Sequence, residues 1–106
     1  MNTINRNDLH SLLSNPSLVL LEALPEAYYN QGHLPGARLF PVASARAQAR
    51  TVAPRKDIPI VVYCASETCK NSDEVAKLLD EVGYTDVRVY KGGKADWEAA
   101  GLPIER

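Results

Sequence analysis

Apolar residues along this chain occur either in short unbroken runs or at helical spacing. The runs are strand signals. "SLVLLEAL" at 17–24 is continuous enough to be buried on both faces of a sheet. "GARLFP" at 36–41 is a shorter one that Pro41 closes, and "DVRVY" at 86–90 is another. "IPIVVY" at 58–63, rich in β-branched residues, is the clearest. Helical spacing fills the intervals. In "NDLHSLLSNP" at 7–16, Leu9, Leu12 and Leu13 share a face, Asn7 or Asp8 serves as cap, and Pro16 lies beyond the end. "PEAYYNQG" at 25–32 predicts one or two turns between Pro25 and Gly32, and "ASARAQAR" at 43–50 holds strong helix formers before Pro54. "NSDEVAKLLDEVG" at 71–83 is the clearest helix. Asn71 or Ser72 would cap it, Asp73 and Glu74 suit its positive end, Val75, Leu78, Leu79 and Val82 form the stripe, and Gly83 stops it. "KADWEAAG" at 94–101 predicts a last short helix.

Strands and helices alternate throughout, with no repeat, low-complexity stretch or linker. The pattern predicts an α/β fold: a mainly parallel sheet with helices on both faces, joined by right-handed crossovers. In such a sheet ligands bind beyond the carboxyl ends of the strands. The segment that follows "IPIVVY" lies at such an end, and it holds both cysteines, Cys64 and Cys69.

Composition narrows the reading. With 106 residues, 45% hydrophobic, the chain is expected to form one domain over 1–106 with a real core. A net charge of −1 argues against nucleic acid or an anionic membrane as the main partner. "MNTINRNDLH" lacks the basic-then-apolar layout of a signal peptide, so a cytoplasmic, reducing compartment is expected, where the two cysteines would be free thiols rather than a stabilising bridge. A C-x4-C pair with His10 and His33 scattered upstream is not a usual zinc-ligand spacing, so no metal is expected.

A thiol at Cys64 leaves a buried strand and enters a loop that runs into a helix N-terminus. Unpaired N–H groups and the helix dipole favour an anion there. Comparable placements lower a cysteine pKa to roughly 3.5–7.5. The same N–H groups could cradle a bound oxyanion or a developing negative charge. The expectation is an activated nucleophile; the alternative is a buried, inert cysteine.

Three segments resemble the rhodanese-like sulfurtransferase family: "GHLPGARLFP", "IPIVVYCASETCKNSDEVAKLLDEVGY" and "VRVYKGGKADWEAAGLPIE". The resemblance covers almost the whole chain, in the family's order and spacing. It implies a single rhodanese-like domain with a five-stranded sheet and Cys64 as the catalytic, sulfur-carrying residue. The Cys64 thiolate would take a sulfane sulfur from a small donor molecule, such as thiosulfate, or from a protein persulfide, and pass it to a thiol or other nucleophilic acceptor. The active-site loop maps onto Cys64, Ala65, Ser66, Glu67, Thr68 and Cys69, followed by Lys70, with backbone N–H groups around the outer sulfur. No metal or organic cofactor is implied.

The chain departs from the family pattern in its charges. Many members carry a basic residue in the loop, and this one has none. Glu67 in its middle repels a doubly charged anion unless the side chain points to solvent, and Lys70 offsets this only as a point charge. A persulfide therefore suits the loop better than thiosulfate. The family's Asp-x-Arg reads "EAL" here, Glu22 to Leu24, with the arginine gone. Cys69 either resolves a Cys64 persulfide, releasing sulfide, or shields Cys64 from overoxidation, or is a small side chain that fits the helix start. His33 reads as a turn residue rather than a base, Arg38 as a solvated strand end, Gly92 and Gly93 as points of close backbone approach, and Trp97 as core. A cysteine phosphatase or arsenate reductase would need C-x5-R, and that position is Lys70. The remaining alternative is a catalytically weak binding or redox-sensing module that uses the Cys64–Cys69 pair.

Overall fold

The computed structural model describes residues 2–106. Its elements are β1 (Asn2–Thr3), α1 (Arg6–Leu12), β2 (Val19–Glu22), α2 (Glu26–Asn30), β3 (Arg38–Leu39), a 3-10 turn (Val42–Ser44), α3 (Ala45–Val52), β4 (Ile60–Tyr63), α4 (Asn71–Glu81), β5 (Val87–Tyr90) and α5 (Gly93–Ala99). The strands form one sheet in the order β1-β5-β4-β2-β3, and every pairing is parallel. β4 is central, paired with β2 from Val19↔Ile60 to Glu22↔Tyr63 and with β5 from Ile60↔Val87 to Tyr63↔Tyr90.

β2 and β4 are buried at every position because both faces of the sheet are covered. Side chains alternate between two cores. Val19, Leu21, Ile60 and Val62 pack with Ala45 and Ala49 of α3 and Val75 and Leu79 of α4. Leu20, Val61, Tyr63 and Tyr90 pack on the other face with Leu9 of α1 and Trp97 of α5. At about 1.5–3 kcal/mol per large apolar side chain buried, these two layers supply the main stabilisation. No helix among the described residues is long and apolar enough to cross a membrane.

The alternation of strands and helices is as expected, with three corrections. First, β1 escapes a reading of hydrophobic pattern. Both its residues are exposed, and it joins β5 through backbone pairing, which Ile4 N–H extends to the Val89 carbonyl at 3.0 Å. Second, α1 is capped by neither Asn7 nor Asp8. It begins at Arg6, and Asn5 is the cap, its Oδ1 accepting the Asp8 N–H at 2.8 Å. Third, neither Asn71 nor Ser72 caps α4. Lys70 holds the cap position without a side-chain bond, and Asn71 is already helical. Ser72 lies buried in the first turn, turned toward Cys64.

Candidate active site

Tyr63 ends the central strand and Cys64 follows it, almost fully buried. The chain then crosses the carboxyl edge of the sheet in a tight loop before α4 begins at Asn71. α5 holds this loop from behind. Lys94 N–H donates to the Cys64 carbonyl at 3.0 Å and Ala95 N–H to the Ala65 carbonyl at 2.9 Å, while Cys69 N–H closes a turn on the Ser66 carbonyl at 3.1 Å. Gly93 makes this approach possible. Its φ is +63°, and a Cβ there would lie 2.4 Å from the Cys64 carbonyl oxygen and 3.0 Å from Ser66 N. The close approach expected at the glycine pair is therefore met at Gly93, against the active loop itself.

Cys64 and Cys69 are joined as a disulfide. This corrects the expectation of free thiols. The compartment argument concerns bridges that stabilise a fold, whereas these sulfurs meet because the turn folds the loop back on itself, with the two Cα atoms 6.3 Å apart and so within bridging range. Ser72 Oγ–H donates to Cys64 Sγ at 3.4 Å, since a bonded sulfur has no proton of its own to give. Both Ser72 and Cys64 are about 1% exposed.

The rest of the loop faces outward by degrees. Ala65, Ser66 and Cys69 are half-buried, and Glu67, Thr68 and Lys70 are exposed. Ser66 and Thr68 hydroxyls lie 3.2 Å apart. The backbone N–H groups of Ala65, Ser66, Glu67 and Thr68, and those of Lys70 to Asp73, donate to no acceptor among the described residues. This segment thus keeps the unpaired donors that the helix start predicts. Glu67 lines a pocket of about 330 Å³ together with Arg6, Lys91 and Asp96. The bases there are already paired, Arg6 with Asp96 at 3.0 Å and Lys91 with Asp73 at 2.8 Å.

Behind the loop lies a polar cluster that the sequence only half discloses. Glu22, at the carboxyl end of β2, is fully buried, and its Oε1 accepts the Tyr63 hydroxyl at 2.7 Å. Tyr63 Oη in turn accepts the Leu34 N–H at 3.1 Å, which ties the "GHLPGA" segment to the central strand. Burial, reinforced by the Glu22 carboxylate, pushes the Tyr63 phenol far above its ordinary range, so it stays a neutral donor. Lys94 Nζ stands 2.9 Å from Glu22 Oε2, an ion pair whose angle is not that of a hydrogen bond, and it donates to the Tyr28 carbonyl at 2.7 Å. Glu22 is thus a buried acid at the start of "EAL", and a lysine from α5 supplies its cation.

The other residues singled out from the sequence are structural. His33 pairs with Glu105 across a backbone bridge, stacks on Tyr29 at 4.0 Å, and its Nδ1–H donates to the Tyr29 carbonyl at 3.2 Å. Trp97 is fully buried, and its Nε1–H donates to the Pro103 carbonyl at 2.8 Å. Arg38 is exposed at the end of β3. Ser72 and Lys94 are the two site residues that sequence reasoning missed. Ser72 has a signal in its small polar side chain at the helix start, but that signal predicts a cap rather than a partner for Cys64. Lys94 has none, because its partner is distant in the chain.

A doubly covered parallel sheet with a buried cysteine opening a loop at the carboxyl end of its central strand defines the class. The family model for the rhodanese-like domain matches residues 5–100. The chain belongs to the rhodanese-like domain family. Among solved structures, it resembles the Alr3790 protein from Anabaena sp. with a TM-score of 0.86 and 30% identity, over 96% of this chain and 79% of that one. It also resembles a rhodanese with anions from E. coli, with a TM-score of 0.71 and 26% identity over 84% of this chain and 98% of the other. Among curated proteins it is 26% identical over 102 residues to an HTH-type transcriptional regulator of Mycobacterium tuberculosis. That match takes in 96% of this chain and 44% of the regulator, so the chain spans less than half the length of this relative.

Proposed function

We propose that this chain is a sulfurtransferase that carries a sulfane sulfur on Cys64. The observation that carries the reading is the placement of Cys64: buried at the carboxyl end of the central strand, with its carbonyl anchored by α5 and a buried hydroxyl donating to its sulfur. Reduced, Cys64 attacks the outer sulfur of a donor R–S–SH. A bond forms from Cys64 Sγ to that sulfur, the donor S–S bond breaks, and the donor leaves as its thiolate. An acceptor nucleophile then takes the outer sulfur, and Cys64 departs as thiolate. Hydrogen-bond donation from Ser72 favours that charged state in both steps. Neither step calls for a metal or an organic cofactor.

The donor we favour is a persulfide, on a small thiol or a protein, and the acceptor a thiol. Glu67 is exposed in the loop, Lys70 is exposed beside it, and the loop holds no arginine to grip thiosulfate with two hydrogen bonds. A cytoplasmic setting, without nucleic acid or membrane as partner, completes the proposal. The test is sulfur turnover from a persulfide and from thiosulfate to a thiol acceptor under reducing conditions. Wild type is expected to turn over the persulfide faster, and Cys64→Ser to lose both activities. Equal rates in wild type and Cys64→Ser would refute the proposal.

A redox-sensing module is the second reading. The Cys64–Cys69 bond favours it, and so does the likeness to a protein named as a transcriptional regulator. On that reading the oxidation state of the loop is the output, and reduced protein shows no turnover with either donor.

A further inference from the structure

The disulfide occupies the one bond through which Cys64 could carry sulfur. A persulfide and a Cys64–Cys69 bridge both use the single free valence of Cys64 Sγ, so the two states exclude each other. The bridge is not needed to shape the loop. Backbone bonds from Lys94 and Ala95 fix its first two carbonyls, and the Cys69 N–H closes its turn. A loop this short also gains less from a cross-link than a long one, because the closure entropy that a bridge removes grows with loop length.

We propose that Cys69 discharges the Cys64 persulfide, so that the chain releases its cargo as sulfide. This rests on the sulfur-carrier reading above and deepens it. The Cys69 thiolate attacks Cys64 Sγ, the inner sulfur. A Cys64–Cys69 bond forms, the bond from Cys64 to the sulfane sulfur breaks, and its electron pair leaves with that sulfur as HS⁻. The two thiols lose two electrons together and the sulfane sulfur gains them. An external thiol, the co-reactant, then restores the pair by two successive exchanges.

Burial sets the direction of that reset. In the bridged loop Cys69 is half-buried and Cys64 almost fully buried, so an external thiol reaches Cys69 ahead of Cys64. The leaving sulfur is then Cys64, the one that receives the Ser72 hydroxyl. Both the attacked atom and the leaving group thus favour return of Cys64 as thiolate. On this route a thiol in solution serves as the reductant, and the sulfur leaves as sulfide in place of direct transfer to that thiol.

The test is a single turnover. Fully reduced, thiol-free wild type, Cys69→Ser and Cys69→Ala are each mixed with one equivalent of a low-molecular-weight persulfide. Sulfide release and intact mass are followed, with Cys64→Ser as background. Wild type is expected to release one sulfide per chain and to lose two hydrogens, with the bond mapped to Cys64 and Cys69. Both Cys69 variants are expected to gain one sulfur atom and release none above background. If wild type instead accumulates the same added sulfur as the Cys69 variants, the discharge step is wrong while the carrier reading stands. If no variant takes up sulfur and wild type releases none, the carrier reading itself falls, and this inference with it.

Discussion

The Lys94 ammonium stands 2.9 Å from the buried carboxylate of Glu22, while the N–H of the same lysine holds the Cys64 carbonyl at 3.0 Å. One residue therefore couples the interior of the sheet to the sulfur loop. Glu22 is fully buried and the Lys94 side chain is 13% exposed, so removing either charge strands the other. Lys94→Met or Glu22→Gln is expected to cost about 3–5 kcal/mol, the usual loss when one member of a buried pair is deleted. The double variant is expected to lose less than the sum. Urea denaturation of all four proteins checks both statements, and additive losses would show that the pair is not coupled.

Gly93 and Gly101 both have positive φ, +63° and +72°, but only Gly93 abuts other atoms. Alanine at either site carries a conformational cost of about 1–2 kcal/mol. Gly93→Ala also drives a methyl into the backbone of Cys64 and Ala65, which cannot yield as a side chain would. The expected outcome is a larger fall in denaturation midpoint for Gly93→Ala, together with slower sulfur loading. Gly101→Ala is expected to load at the wild-type rate.

Ser72 makes no cap, and its hydroxyl hydrogen bond in the structure goes to Cys64 Sγ. Removing that donor disfavours the thiolate. Reduced Ser72→Ala is therefore expected to be alkylated at Cys64 several-fold more slowly than wild type at the same pH, since a bond of this kind is worth about 1 kcal/mol. Ser72→Thr, which keeps the hydroxyl, should recover part of the rate. A purely structural Ser72 would leave both rates unchanged.

The Tyr63 phenol is raised by burial first and then by the Glu22 charge, and that of Tyr90 by burial first and then by its hydrogen bond to Asp96. Above the ordinary phenol pKa of about 10 the unfolded chain releases protons that the folded protein retains. The unfolded state then binds fewer protons, so stability is full below about pH 10 and declines above it. Denaturation midpoints between about pH 8 and pH 11 measure the decline. Tyr63→Phe is expected to flatten it, and to cost about 1–3 kcal/mol at neutral pH by leaving Glu22 Oε1 and Leu34 N–H unpaired.

Where hydrophobic residues decide position, the sequence was a good guide. Ile60–Tyr63 and the α4 stripe carry enough apolar side chains to announce both element and face. β1 carries none, because Asn2 and Thr3 join the sheet by backbone alone. The cysteine loop was legible from its place between a strand and a helix and from its likeness to a known family. What held it was legible only in part. The glycine pair marks a close backbone approach, and Gly93 makes it against the loop. The Glu22–Lys94 pair joins β2 to α5, and local spacing carries no trace of such a contact. Ser72 escapes the sequence because a serine at a helix start is an ordinary cap, and only the fold reveals a sulfur within its reach. The disulfide was missed because a compartment argument says nothing about what a turn brings together.

The central claim is that Cys64 accepts sulfur, and one measurement meets it most directly. Reduced Cys69→Ser and the double variant Cys64→Ser/Cys69→Ser are each exposed to a low-molecular-weight persulfide, desalted, and their intact masses read. A gain of one sulfur atom is expected on Cys69→Ser, mapped to the peptide that contains Cys64, and none on the double variant. An unchanged mass for Cys69→Ser, or an equal gain on both proteins, would contradict it.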